Sequence, residues 1–252
     1  MINNSKITIA LMAGGESSRF QSVPGSEVSN KNAFQLPNGD SMVEMCIRMY
    51  RDAGIKNFVA LVYHKAETIV NLLGDGSKLG VNITYSYDPE KPVGKGGEIL
   101  NAIKNDSIPL DHTVIVHNPD DVILNNEKFV EHILDKHQEG VNKGALATVV
   151  TVNETPYAYT GMKIENDFVK NIEMYPMIKV PTHIGVTILE PKVFEYFEKL
   201  FDLTKKSDFE QILFPILSEE HKLYSASIPY KNWLAVNDLK AYKKLLKELK
   251  IS

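Results

Sequence analysis

Cysteine is nearly absent: Cys46 is the only one in 252 residues. One thiol cannot close an internal disulfide, so nothing asks for an oxidising compartment, and the cytoplasm is expected. Cys46 falls in the apolar pattern Met42, Met45, Cys46, Met49, and it reads as a helix core residue rather than a nucleophile. No apolar run approaches the roughly 20 residues that span a bilayer. The short polar start, Met1–Ser5, leads into no signal-peptide pattern, so no membrane partner is expected. Basic charge is not in excess either. Lys plus Arg number 28 against 32 Asp plus Glu, a formal charge of -4, and no nucleic-acid partner is expected. A local basic pocket for small anions remains compatible with that balance. The G-x-G-x-x-G dinucleotide pattern and the G-K-[ST] P-loop are missing, and Gly94-Lys95-Gly96 is not one. There is no nucleophile elbow, and the seven histidines show no metal-ligand spacing. Linkers, repeats and low-complexity tracts are absent too, which favours one domain over residues 1–252.

What is present is an alternation of strand-like and helix-like runs. Ile7–Met12, Phe58–Tyr63 and Thr113–His117 are short and continuously apolar, as buried parallel strands are. Val81–Tyr87 and the β-branched Ala145–Val152 also read as strands. Between them Ser41–Ala53, Lys65–Leu73, Gly97–Lys104 and Asn126–Glu139 carry helical spacing, the first two closed by Gly54 and Gly74. The second half changes character. Ala158–Ile164 and Val169–Glu173 form a strand pair. After them come a strand at His183–Leu189, helices at Lys192–Phe201 and Asp208–Leu217, a strand at Lys222–Ile228 and a Lys-rich closing helix at Leu239–Leu249. The expected fold is therefore α/β, a Rossmann-like mixed, mostly parallel sheet with helices on both faces. In such sheets ligands bind beyond the carboxyl ends of the strands. The loops after Met12, Tyr87 and His117 are where chemistry is expected.

The first loop, Ala13-Gly14-Gly15-Glu16-Ser17-Ser18-Arg19, pairs two glycines with hydroxyls and a guanidinium. Backbone N–H groups there can form an anion-binding nest, and Arg19 offers a planar fork for phosphate oxygens. A plain glycine turn into a surface loop is the alternative. Lys31 follows in a polar loop before the first helix. The loop after Tyr87, Asp88-Pro89-Glu90-Lys91-Pro92-Val93-Gly94-Lys95-Gly96-Gly97, leads into a helix N-terminus, where backbone donors meet a phosphate or ring. The strand Thr113–His117 ends in Asn118-Pro119-Asp120-Asp121. Carboxylates there are costly unless paired or bound to a cation, and Mg²⁺ takes one or two carboxylates together with substrate phosphates. The plain alternative is an acidic turn. His117 and His183 are candidates for lining the pocket.

These segments, in this order, resemble the sugar-nucleotide pyrophosphorylases of the nucleotidyltransferase family. Leu11–Arg19 is similar to the signature L-x-A-G-G-x-G-[ST]-R, with Ser17 where the third glycine stands. Lys31 matches the phosphate-contacting lysine of the family's next segment. Pro92, Gly94 and Gly97 match P-L-G-T-[AG]-G-[AS]-[IL], which lies against the nucleotide base, with Lys95 replacing threonine and Glu98 a small residue. Asp120 matches the aspartate that holds Mg²⁺, with Asp121 expected behind it. Thr182–Pro191 resembles the segment beside the sugar, which puts Gly185 at the acceptor. Glu173 matches the glutamate of a glutamate–lysine pair whose lysine is here Met174. Asn232–Asp238 resembles W-x-D-[IV]-[GN]-[ST], but Ala235 replaces the aspartate that is the family's second Mg²⁺ ligand.

The resemblance implies Mg²⁺-dependent transfer of a nucleoside monophosphate from a nucleoside triphosphate to a sugar phosphate, releasing pyrophosphate. Arg19, Lys31 and Asp120 would be catalytic. Ala13, Gly14, Gly15, Ser17, Ser18, Pro92, Gly94 and Gly97 would bind the nucleotide, and Glu173 and Gly185 the acceptor. Two other outcomes stay open: a binding regulator that kept the fold and lost activity, and an enzyme with a non-sugar acceptor. Base, acceptor and any homo-oligomeric state are not legible.

Overall fold

The computed structural model describes residues 3–125 and 127–251. In chain order its regular elements begin with β1 (Ile7–Met12), α1 (Met42–Asp52), β2 (Asn57–Val62), α2 (Ala66–Leu73), β3 (Asn82–Tyr87), α3 (Gly94–Lys104) and β4 (Thr113–His117). A short β5 (Asp121–Ile123), α4 (Phe129–Asn142) and β6 (Ala147–Val152) follow. Then come β7 (Thr155–Pro156), β8 (Thr160–Glu165), β9 (Phe168–Met174), β10 (Met177–Ile178) and β11 (Thr182–Leu189). The chain ends with α5 (Phe194–Leu200), α6 (Phe209–Glu219), β12 (Leu223–Ile228), β13 (Trp233–Ala235) and α7 (Leu239–Glu248). The expected helix from Asn126 begins at Phe129 instead, and Asn126 lies outside the described residues.

Seven strands make one sheet in the order β12-β6-β11-β4-β1-β2-β3. All neighbours pair in parallel except β11, which runs against both β4 and β6. The sheet is mixed and mostly parallel, as read from the sequence. β1 and β4 are buried along their whole length because both faces are covered, which is why they read as unbroken apolar runs. On one face Ile7, Ile9 and Leu11 pack with Val43, Ile47 and Tyr50 of α1, Ile69 of α2 and Ile133 of α4. On the other, Ala10 and Met12 pack with Ile99 and Ile103 of α3, Phe197 of α5 and Leu213 of α6. Cys46 is buried in the first of these layers, as its spacing implied.

A third cluster sits at the carboxyl end of the sheet. It joins Phe20 and Val23, Leu36, Val122 of β5, Leu234 of β13 and Leu245 of α7. β5 and β13 form a small antiparallel ladder that pairs Ala235 with Asp121. This ladder is too short to be read from residue pattern, and it ties the chain's end to the loop after β4. The expected strand pair is present as β8 and β9, and almost every residue on it is exposed. Among the described residues no helix is long and apolar enough to cross a membrane.

Candidate active site

The chain order in the sheet reverses between β1, which pairs with β2 on one side, and β4 on the other. At that switch point the carboxyl ends of β1 and β4 open into a cleft of about 420 Å³. Gly14, Gly15, Ser17, Ser18, Arg19, Lys31, Asn32, Lys95, Glu98, Asn118, Asp120, Asp121 and Asn237 line it. A larger groove, of about 830 Å³, runs between α1 and α4. Its lining carries Asp40, Asp52, Glu131 and Asp135 with Arg48 the one cation, so it does not suit a polyphosphate.

The loop after β1 presents donors to the cleft. Ala13 N–H still bonds Leu61 O, and Phe20 N–H returns to Ser17 O. Among the described residues the backbone N–H groups from Gly14 to Arg19 have no partner in the chain. A run of unpaired N–H groups beside a cleft can take an anion as a nest does. A Cβ on Gly15 would meet nothing within 4 Å, so its wall faces open cleft. Ser17 keeps a left-handed backbone, φ 53°, at the position where the family has glycine. The conformation of the loop thus survives the substitution, at some cost in strain. Arg19 follows on a 3-10 turn over Ser18–Ser22, exposed and in no ion pair among the described residues.

Lys31 is 8 % exposed, and its ammonium reaches Asp120 Oδ2 at 2.5 Å and Asn237 Oδ1 at 3.2 Å. It is held there by Asn30, a residue that no motif singles out. The Asn30 amide donates to Ala13 O at 2.8 Å and to His64 O at 2.9 Å, and its Oδ1 caps the turn Lys31–Ala33 by accepting from Asn32 N–H. A buried lysine without a counter-ion is strongly disfavoured, so the pair with Asp120 fixes both groups. Asn237 was likewise visible only as part of a motif.

Asp121, expected behind Asp120, lines the cleft beside it. β4 stops at His117, the chain turns at Asn118–Asp120, and both carboxylates reach the cleft. Asp121 accepts from Trp233 Nε1–H at 2.9 Å and from Asn118 Nδ2–H at 3.0 Å. Burial, and next the charge of Asp120, hold its carboxyl above the usual range. Gly185 stands directly behind: a Cβ there would lie 2.0 Å from Asn118 Nδ2 and 2.2 Å from Asp121 Oδ2. Glycine is required at 185 to admit that pair. His117 does not line the cleft. Its ring lies buried between Tyr50 Oη at 2.8 Å and Asp121 O at 3.0 Å, and burial lowers its pKa to about 4, so it is a neutral core residue. His183 is likewise turned inward, to Thr187 Oγ1 and Val186 O.

The turn into α3 behaves differently from its motif. Lys95 N–H donates to Asp208 Oδ1 at 3.1 Å and Gly96 N–H to Ser207 O at 2.9 Å, so the donors of this helix start are largely taken. Gly94 has φ +74° and lies against the Ser207 backbone, and a Cβ on Gly97 would stand 2.5 Å from Val93 Cβ. Pro92, Gly94 and Gly97 are outside the cleft lining, while Lys95 and Glu98 are in it. Glu173 lies on exposed β9 opposite Gly161, also outside that lining.

At the strand ends the switch-point cleft thus brings together a run of unpaired N–H groups, Arg19 and the Lys31–Asp120 pair. The model of the family described as nucleotidyl transferase matches residues 9–250, and the chain belongs to that family. It is 28% identical over 207 residues to a mannose-1-phosphate guanyltransferase of Pichia angusta, covering 78% of this chain and 52% of the relative. A Saccharomyces cerevisiae protein of the same name is 28% identical over 194 residues, covering 71% and 48%. The chain thus spans about half the length of the curated relatives it matches. A crystal structure of a candidate glucose-1-phosphate thymidylyltransferase from Bacillus anthracis superimposes with a TM-score of 0.69 at 19% identity, covering 94% of this chain and 93% of that one.

Proposed function

We propose that this protein transfers a nucleoside monophosphate from a nucleoside triphosphate to a sugar phosphate. The observation that carries the reading is the convergence on one cleft of the unpaired N–H groups of residues 14–19, Arg19, and the Lys31–Asp120 pair. A phosphate oxygen of the acceptor attacks the α-phosphorus. One P–O bond forms there, the α–β bridging P–O bond breaks, and pyrophosphate leaves with the electron pair. The protein's part is to position groups and to neutralise charge. The nest and Arg19 take the leaving phosphates, and Lys31 faces the reacting centre. The acceptor class comes from the family's sugar-phosphate relatives. A buried, unpaired cysteine suits the cytoplasm as the place of work.

Mg²⁺ belongs to the same proposal. Among the described residues no three His, Cys, Asp or Glu side chains stand together as a metal site. The cleft does offer the oxygens of Asp120, with Asp121 beside it, and Ala235, paired to Asp121 in the small ladder, adds none. One or two carboxylates suit a Mg²⁺ that arrives with the nucleotide and is otherwise held by phosphate and water. Asp121 is raised chiefly by burial and then by the charge of Asp120, and a cation would relieve that repulsion. Asp120 would hold the ion, which supplies charge neutralisation on the phosphates.

The test is pyrophosphate release by the purified protein with each triphosphate and a panel of sugar 1-phosphates, against Mg²⁺ concentration. Turnover that needs both substrates supports the reading, and triphosphate binding without turnover overturns the activity. Ala235→Asp should shift the Mg²⁺ dependence to lower concentration, and Asp120→Ala should abolish it. An Asp120→Ala enzyme of full activity would overturn the metal placement.

A further inference from the structure

The large apolar side chains left open to solvent are gathered in one place. Twelve of the fifteen that stand exposed among the described residues lie between Tyr157 and Val180. None of the twelve joins any of the three core clusters. At the centre of this segment is the β8–β9 hairpin, a two-stranded sheet that pairs with no other strand among the described residues. Its register sorts the side chains by face. The pairs Thr160–Met174, Met162–Ile172 and Ile164–Val169 alternate with Gly161–Glu173 and Lys163–Asn171. Opposed residues share a face and successive residues change face. One face therefore carries Met162, Ile164, Ile172 and Met174, with the Thr160 hydroxyl turned to Met174 Sδ at 3.3 Å. The other carries Lys163, Asn171 and Glu173. The four apolar side chains are each 57–62 % exposed. A two-stranded hairpin is marginal in water unless such a face packs on something.

We propose that this face docks a second copy of the chain, the two hairpins packing apolar face to apolar face about a two-fold axis. The Met162–Ile172 pair, the middle of the three, lies at the axis. The area is sufficient. Side chains this large and this open offer on the order of 100 Å² each, so the segment holds about 1,000 Å², against the roughly 800 Å² that each partner of a stable complex buries. An apolar patch beyond a few hundred Å² marks an interaction site. The charges favour a copy over other occupants. In a two-fold interface each patch meets itself, and a face without charged groups brings no like charges together. A foreign protein is told from others by directional polar groups and charges, which this face does not present. A membrane surface calls for an excess of basic side chains beside the apolar face. Here Lys163 is paired with Glu165 at 2.8 Å, and Lys170 is outnumbered by Asp167 and Glu173. With the apolar faces packed together, Lys163, Asn171 and Glu173 stay in water. The docking does not depend on the chemistry of the cleft.

The experiment is sedimentation of the whole chain over a concentration series, for wild type, Ile172→Lys, Met162→Lys and, on the opposite face, Asn171→Lys. Wild type should form a dimer that dissociates on dilution. An unpaired charge buried in an apolar interface is costly, and the two-fold introduces each substitution twice. Ile172→Lys and Met162→Lys should therefore weaken association by about 100-fold or more, with cooperative melting curves reporting an intact fold. Asn171→Lys should leave the dimer unchanged. A second readout exploits Cys46, the only thiol and a buried one. Ile172→Cys sets a reactive thiol at the axis, and a short bis-maleimide should join two copies through it, whereas Asn171→Cys should stay unjoined. A wild type that is monomeric into the millimolar range overturns the inference. So does a dimer that both lysine variants on the apolar face leave intact, since its contact lies elsewhere. A monomer that binds phosphatidylcholine–phosphatidylserine vesicles, and loses them in Ile172→Lys, gives the face to a membrane and overturns the second copy. Open-ended assemblies in place of a dimer overturn the two-fold.

Discussion

Two glycine-rich turns follow parallel strands at the same end of the sheet, and they do opposite things. The turn after β1 leaves its N–H groups from Gly14 to Arg19 without partners, and Gly15 borders open cleft. The turn into α3 gives its donors to Ser207 and Asp208, and its glycines are pressed against protein: Gly94 on the Ser207 backbone, Gly96 on the Phe201 ring, Gly97 on Val93. The first set of glycines makes room for a ligand, the second for the α5–α6 connection and the helix's own first turn. A glycine count sees no difference between them. The difference lies in what stands opposite, which is settled by residues more than a hundred positions away.

Lys31→Ala tests the ligand side of the comparison most severely. Removing a cation from the reacting phosphates typically costs on the order of 100-fold or more in rate. Pyrophosphate release should fall by that factor while the melting curve stays cooperative, and undiminished turnover would remove Lys31 from the mechanism. The next effect belongs to the packing side. Gly97→Val drives a side chain into Val93, and overpacking of this kind costs about 1–3 kcal/mol. Its melting temperature should drop by several degrees. Gly15→Val, by contrast, should stay within about 0.5 kcal/mol of wild type in stability. It should weaken nucleotide binding on the order of tenfold, about 1.4 kcal/mol. If the two valines exchange these signatures, the contrast between the turns is wrong.

A third effect concerns the cleft wall shared by both turns. In the folded chain Glu98 keeps its proton up to about pH 8, against an ordinary value of 4.5, chiefly through burial and then through Asp88. Between those two values the native state binds more protons than the unfolded chain. Native stability therefore falls as pH rises through that window. Glu98→Gln carries no such charge, so its melting temperature relative to wild type should increase from pH 5 to pH 8 without nucleotide. Parallel melting profiles across that range would show that Glu98 is ionised at neutral pH in the empty cleft. Asp88, raised to about 6 by burial, titrates in the same window in both proteins and cancels in the difference.

The sheet was legible because buried parallel strands leave continuous apolar runs, and β1, β2 and β4 fall within a residue of their expected limits. Lys31 and Asp120 were legible through the order of motifs, and they meet at 2.5 Å across 89 positions. The start of α3 was not, because a Gly-Lys-Gly-Gly run has poor intrinsic helix propensity. It becomes helical with its donors met by Ser207 and Asp208 and its flank closed by Phe201. The place of Asp121 beside Asp120 is set by the turn after His117, since side-chain alternation holds only while a strand continues.

Local pattern determined the seven strands of the main sheet and the bodies of the seven helices, and the order of motifs determined the family, since both are written in neighbouring residues. Tertiary structure alone decided which donors stay free. Asn30 tethers Lys31 to Ala13 and His64, Trp233 and Asn118 hold Asp121, and the Ser207–Asp208 loop covers the α3 N-terminus. All but the Asn118–Asp121 bond join groups distant in sequence, and a backbone N–H becomes available to a ligand only where the folded chain brings no acceptor to it.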